Sequence, residues 1–287
     1  MYAGIVIAMA VGVLGTSVIH LSKGVMKHGV SLLRDHSGKR RTASLMYTLG
    51  VVMNFTNPVW IVIANRFAPT VYYTSMYGLG LVTLLVFSHF ALNEKTEPIR
   101  LLGAALVIAG TLVVGVGRIL SPVAGMHLAN RTLVLYIAAG WVIASLVAAI
   151  ASKRAVVTFQ ELVFGVFGGG LAALEAVLKG VAQSGETGST FFPQTSTNWV
   201  IFAVSFLGAA GAFGMIQWSY FRHCRVSMMA TAYNVAYVAV PLIVVAVVIP
   251  GETIGAVSLL GLALLAGGAV VMQLPSRDTA KSSVTGF

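Results

Sequence analysis

The sequence predicts an all-α polytopic membrane protein. Nine transmembrane helices form an inverted-repeat bundle of four, one and four helices, with the N-terminus outside and the C-terminus cytoplasmic. Three observations predict it. The chain is 57% hydrophobic and 9% charged, with mean hydropathy +0.90, a composition that a soluble domain of this length does not tolerate. Its basic residues gather in alternate loops. Residues from about 49 to 113 recur 158 positions later without a gap.

Nine apolar runs are long enough to cross a hydrocarbon core of roughly 30 Å as helices. They lie near 2–21, 44–65, 69–92, 98–117, 132–152, 157–182, 198–219, 227–249 and 254–273. Helix is required because backbone N–H and C=O groups in lipid must find partners within the segment. Lys23, Lys27, Arg34, Lys39, Arg40 and Arg41 follow span 1, and Lys95 and Arg100 follow span 3. Lys153 and Arg154 follow span 5, Arg222 and Arg225 span 7, Arg277 and Lys281 span 9. The opposite loops hold Arg66, Arg118 and Arg131, and Lys179 closes span 6. The positive-inside rule then orients the chain.

The recurrence pairs Leu49-Gly50 with Leu207-Gly208, Trp60 with Trp218 and Glu94 with Glu252. Leu101-Leu102-Gly103 pairs with Leu259-Leu260-Gly261, and Gly110 with Gly268. With a two-residue shift, Lys23-Gly24-Val25 answers to Lys179-Gly180-Val181. Spans 1 to 4 thus match spans 6 to 9, five crossings apart, and an odd separation inverts the copy. The halves are residues 1–118, including a basic cytoplasmic loop at 22–43, and residues 157–274. Residues 132–152 form an unpaired linking helix, and 275–287 a cytoplasmic tail.

Span 1 lacks a basic n-region and a small-residue cleavage site, so it is expected to be retained. In the loop after it, Val25, Val30, Leu32 and Leu33 are expected at the membrane surface. In span 2, Asn54 and Asn57 share a helix face. Pro58 displaces the carbonyl four residues before it, that of Asn54. NFTNP could offer two amides and a loose carbonyl to a substrate or cation; the alternative is a kink satisfied by a neighbouring helix. Tyr72 and Tyr73 in span 3 read as interfacial belt residues, whereas Tyr77 lies deeper. Glu94, with Asn93 beside it, and Glu252 stand before helices and read first as N-terminal caps.

Span 6 begins with Glu161 near the headgroups and carries Glu175 deep in the membrane. An intramembrane carboxylate is a functional candidate by default. Lys179 follows at ion-pair spacing, so a structural pair is the competing reading. Gly168, Gly169 and Gly170, and likewise Gly208, Gly211 and Gly214 of span 7, read as helix-contact positions. Spans 7 and 8 add Gln217, Asn234, Tyr237 and Pro241.

The candidate substrate-binding residues are Asn54, Asn57, Tyr77, Glu175, Gln217, Asn234 and Tyr237, with Asn54, Asn57 and Glu175 as the candidate metal ligands. No catalytic residue and no cofactor is expected: the nucleophile elbow, the phosphate loop and paired metal-binding histidines are all missing from the sequence. The six histidines are scattered, at 20, 28, 36, 89, 127 and 223, and read as interfacial. Cys224 is alone, so there is no disulfide framework. The net charge of +10 belongs to cytoplasmic loops and anionic lipid. The implied partners are membrane lipid and a transported ion or small solute, without nucleic acid; a homodimer is left open.

The run LNEKTEPIRLLGAALVIAGTLVVGVG and its second copy PGETIGAVSLLGLALLAGGAVVM resemble the EamA-type repeat of the drug/metabolite transporter superfamily. GVLGTSVIHLSKGVMKHG, the basic loop after it and the count of nine spans are similar to the NIPA-type magnesium transporters within it. The resemblance implies a plasma- or inner-membrane carrier, not an enzyme, that moves Mg²⁺ or another divalent cation by alternating access. Where that family is expected to carry a basic residue in span 6, this chain has Glu175 followed by Lys179. The polar residues would equally suit a small polar metabolite or an organic cation held against tyrosine faces. A non-transporting scaffold or regulatory subunit is the alternative of another class.

Overall fold

The computed structural model describes residues 2–34, 40–91, 98–123, 125–186 and 188–273. Asn93 and Glu94, with the cap expected of them, and the tail 275–287 lie outside these residues. The described chain is a bundle of apolar helices, an integral multi-pass architecture. Eight spans are long and apolar enough to cross a membrane, and a ninth apolar helix is slightly shorter.

Helix α1 is Tyr2–Arg34, 33 residues, or about 50 Å at 1.5 Å per residue. The first span was expected to stop at residue 21, because Ser22-Lys23 reads as the start of a polar loop. The helix instead continues through both. No proline interrupts it, and its small residues seat it against neighbours: a Cβ on Gly24 would meet Phe87, and one on Gly29 would meet Ala43 and Tyr47. Ser22 and Lys23 are consequently fully buried and Val25 is buried, so they leave the expected surface loop. Leu33 is exposed.

Span 2 is two helices, α2 (Arg40–Asn54) and α3 (Asn57–Phe67). The break falls at Phe55-Thr56, where the Thr56 N–H turns to the Met53 carbonyl and the Val59 N–H to the Thr56 carbonyl. Pro58 sits at the start of α3, where its missing N–H costs nothing. Span 3 is interrupted too: α4 (Thr70–Thr74), a 3₁₀ turn at Tyr77–Leu79, then α5 (Gly80–Ala91). Gly78 and Gly80 let this turn lie against Thr111 of the next span and against Thr16 and His20 of α1.

Then follow α6 (Pro98–Leu120), α7 (Arg131–Ala151) and α8 (Val157–Gln183). A short hairpin, β1 (Ser184–Gly185) with β2 (Gly188–Ser189), leads to α9 (Ser196–Phe221). The chain closes with α10 (Val226–Val248) and α11 (Ala256–Gln273). Unlike spans 2 and 3, α9 and α10 run unbroken, Pro241 included. Helix α1 packs on spans 2 and 3, α8 packs on α9 and α10, and α6 lies along α11.

Helix α8 is the centre: 83% of its most apolar window is buried, against 17% for span 2. Its glycines are contact points, as expected. A Cβ on Gly169 would strike the Tyr233 backbone, and one on Gly170 the Trp141 ring. In α9, Gly208 and Gly211 touch Leu171, but nothing lies within 4 Å of a Cβ built on Gly214, which is not a helix contact.

Two ion pairs join elements at opposite ends of the bundle. Glu161 of α8 holds Arg225, its Oε2 3.0 Å from Nη2 and its Oε1 also taking the Arg225 backbone N–H. Arg118, fully buried at the end of α6, reaches Glu252 at 3.1 Å. Glu252 lies four residues before α11 and neutralises an arginine buried at the end of α6. Tyr72 and Tyr73 are also fully buried, Tyr72 donating to the Arg118 carbonyl, so neither is a belt residue.

If the charge distribution orients the chain correctly, Glu186 lies outside and Lys153 inside, both exposed. Single cysteines at these positions in a Cys224→Ser background are expected to react with an impermeant maleimide from opposite sides of sealed vesicles. Reaction of both from one side would exclude the assigned orientation.

Candidate functional site

Five spans, α1, span 2, α8, α9 and α10, converge where span 2 breaks. The break releases Asn54 and Asn57 at the junction of α2 and α3; α8 brings Glu175 and α10 brings Tyr233. Together with Ile19 and Pro58 they line a cavity of about 20 Å³, room for about one water. Tyr73 of α4 donates its hydroxyl to Asn57 Oδ1 at 3.1 Å, fixing that amide. Glu175 and Lys179 form the local pair that their spacing suggests, Nζ to Oε1 2.6 Å, both buried. The ammonium also stands 4.2 Å from the Phe206 ring centroid, a cation–π contact.

Beside this cavity is a tyrosine stack. Tyr77 from the 3₁₀ turn lies on Tyr237 with ring centroids 3.8 Å apart, and on Tyr233 at 5.8 Å. The Tyr237 hydroxyl is fully buried and makes no hydrogen bond. Lys23 of α1 donates to the Tyr77 hydroxyl at 3.0 Å and stands 3.8 Å from the Tyr233 centroid. One turn back, His20 bridges the Thr16 carbonyl and Asn234, each at 2.8 Å. The Thr16 carbonyl accepts the Nδ1 proton, and the Nε2 side of the ring faces Asn234 Oδ1. The buried Asn234 Nδ2 makes no hydrogen bond.

The structure therefore gathers Asn54, Asn57 and Glu175 at one cavity, with Tyr77, Tyr237 and Asn234 adjoining. Gln217 it sets apart: its Oε1 accepts from Tyr47 at 2.7 Å, and it does not line the cavity. His20, Lys23, Tyr73 and Tyr233 join the site without having been singled out. His20 is fully buried rather than interfacial. One signal could have found Lys23: its repeat counterpart Lys179 lies within a span, so an equivalent depth follows. Among the described residues no group of three His, Cys, Asp or Glu could hold a metal ion. The cavity offers a cation one carboxylate and two amides.

Over 113 residues the chain is 28% identical to the probable magnesium transporter NIPA5 of Arabidopsis thaliana. That stretch covers 39% of this chain and 29% of the plant protein, so the chain matches less than a third of its relative's length. No protein-family model matches the chain, and no solved structure does. This distant match and the multi-span helical architecture support a membrane transporter.

Proposed function

We propose that the chain is a carrier working by alternating access, with Mg²⁺ or another divalent cation as its cargo and the Asn54–Asn57–Glu175 cavity as its binding site. The observation that carries this reading is the cavity itself. A broken span presents neutral oxygens opposite a buried carboxylate, the arrangement by which carriers hold ions at mid-membrane. Mg²⁺ keeps several waters and takes one or two carboxylates, so a single glutamate with two amides suffices. A space for one water must widen before hydrated cargo enters, which suits an occluded state between two open ones. The likeness of packing, α1 on spans 2 and 3 and α8 on α9 and α10, supports the inverted repeat that such a cycle uses.

The stacked faces of Tyr77, Tyr233 and Tyr237 favour a second reading, an organic cation or small polar metabolite. Flux into proteoliposomes separates the two. Wild type is expected to move Mg²⁺, with apparent affinity reduced by roughly tenfold, or about 1.4 kcal/mol, in Asn54→Leu and Asn57→Leu. Lipid-exposed Val52→Leu is expected to match wild type. Exchange of a metabolite pool without Mg²⁺ movement would establish the second reading. Movement of neither solute would leave a non-transporting scaffold.

A further inference from the structure

Lys23 is a buried ammonium-bearing side chain with no carboxylate in ion-pair contact among the described residues. Its Nζ has the Tyr77 hydroxyl at 3.0 Å and the Tyr233 ring at 3.8 Å. On its own helix the neighbouring titratable groups are His20 and Lys27. Across from it stand Tyr77 of the 3₁₀ turn, Tyr220 of α9, whose hydroxyl reaches the Lys23 carbonyl at 3.4 Å, and Tyr233 of α10, with Tyr237 stacked on Tyr77 and Tyr233 behind them. Helix α5 presents Leu84 and Phe87 at the level of Gly24. No Asp or Glu among the described residues forms an ion pair with Lys23.

The repeat sharpens this. Lys179 has Glu175 four residues before it and is paired at 2.6 Å. The same place before Lys23 is Ile19, which lines the cavity. Of the two matched lysines, only Lys179 has a carboxylate four residues before it. An ammonium without a counter-charge at membrane depth is costly, and lysine is the cation that most readily gives up its proton when buried. Tyr233 separates Lys23 from the cavity, lining the cavity while Lys23 packs against its ring. A proton on Lys23 and a cation in the cavity would be like charges facing each other across one aromatic ring, and each disfavours the other.

We propose that Lys23 carries an exchangeable proton that couples transport: cation enters the Asn54–Asn57–Glu175 cavity as Lys23 releases its proton, and reprotonation of Lys23 expels the cation. The inference rests on the cation-carrier reading above. In the step, an N–H bond of the ammonium breaks, its electron pair stays on Nζ, and the proton passes to water on the side to which the site is open. One proton moves against one divalent cation, so each cycle carries one net positive charge.

The test uses the full chain in liposomes holding a Mg²⁺ indicator and a pH dye, with the membrane potential clamped by potassium and valinomycin. In wild type an inward Mg²⁺ gradient is expected to alkalinise the interior, with one proton leaving per Mg²⁺ entering. In Lys23→Met, matched in length, the proton-to-Mg²⁺ ratio is expected to fall to background. In Lys23→Arg, which keeps its charge, Mg²⁺ uptake itself is expected to fall at least tenfold. Mg²⁺ entry into wild type without proton movement would overturn the coupling and leave the carrier reading intact. Mg²⁺ failing to enter at all would overturn both. Because the wild-type ratio decides the matter, it holds even if a variant does not fold. A Lys23→Met protein that folds and keeps the wild-type ratio would remove the proton from Lys23.

Discussion

Exchange of Glu175 for glutamine is expected to reduce transport to the level of empty liposomes. The glutamine keeps the shape of the side chain but withdraws the only carboxylate from the cavity. It also leaves Lys179 buried without its counter-charge, at a cost of about 3–5 kcal/mol, so less protein should be recovered folded and its thermal midpoint in detergent should drop. The double variant Glu175→Gln, Lys179→Met separates the two consequences. With both charges gone the stability should return close to wild type, while flux stays absent, because the cargo has still lost its carboxylate. Restoration of flux in the double variant would reduce Glu175 to half of an ion pair and remove it from the binding site.

Gly110→Leu is expected to have the largest effect on the fold. Helices α6 and α11 meet along a seam of glycines where backbone faces backbone. A Cβ at Gly110 would lie 2.7 Å from the Gly261 carbonyl oxygen, and one at Gly103 would lie 2.8 Å from that of Gly268. A leucine there can enter only by parting the helices, because the obstructing atoms are main chain and cannot change rotamer. A destabilisation of about 3 kcal/mol or more is expected, read as loss of the monodisperse peak on size exclusion after heating. Gly267→Leu, also in α11 but with nothing within 4 Å of its Cβ, is the control and should behave as wild type. Equal loss in both variants would show that added side-chain bulk on these helices, wherever it falls, rather than the seam is responsible.

Features governed by local rules were legible in the sequence. The Glu175–Lys179 pair follows from i,i+4 spacing, and the break in span 2 from Pro58 and the amides before it. The spans follow from hydropathy, which records how much of a segment lipid would accept. That same quantity obscured Lys23. A window that penalises every charge ends span 1 at residue 21, although the lysine packs inside against Tyr77 and Tyr233. The interruption of span 3 had no proline to announce it; Gly78 and Gly80 are intelligible only once α1 and α6 are seen pressing on them. The partners of Gln217 and Arg118 lie 170 and 134 residues away. No local pattern specifies either contact, Tyr47 to Gln217 or Arg118 to Glu252.

The glycine seam has one more property. Gly103 touches Gly268 and Gly110 touches Gly261, while the internal recurrence relates Gly103 to Gly261 and Gly110 to Gly268. Swapping the two halves therefore carries each contact onto the other, as in a two-fold symmetric dimer whose subunits happen to share one chain. Such a surface cannot diverge on one side alone. A side chain gained at Gly110 must be answered at Gly261, and one gained at Gly268 must be answered at Gly103.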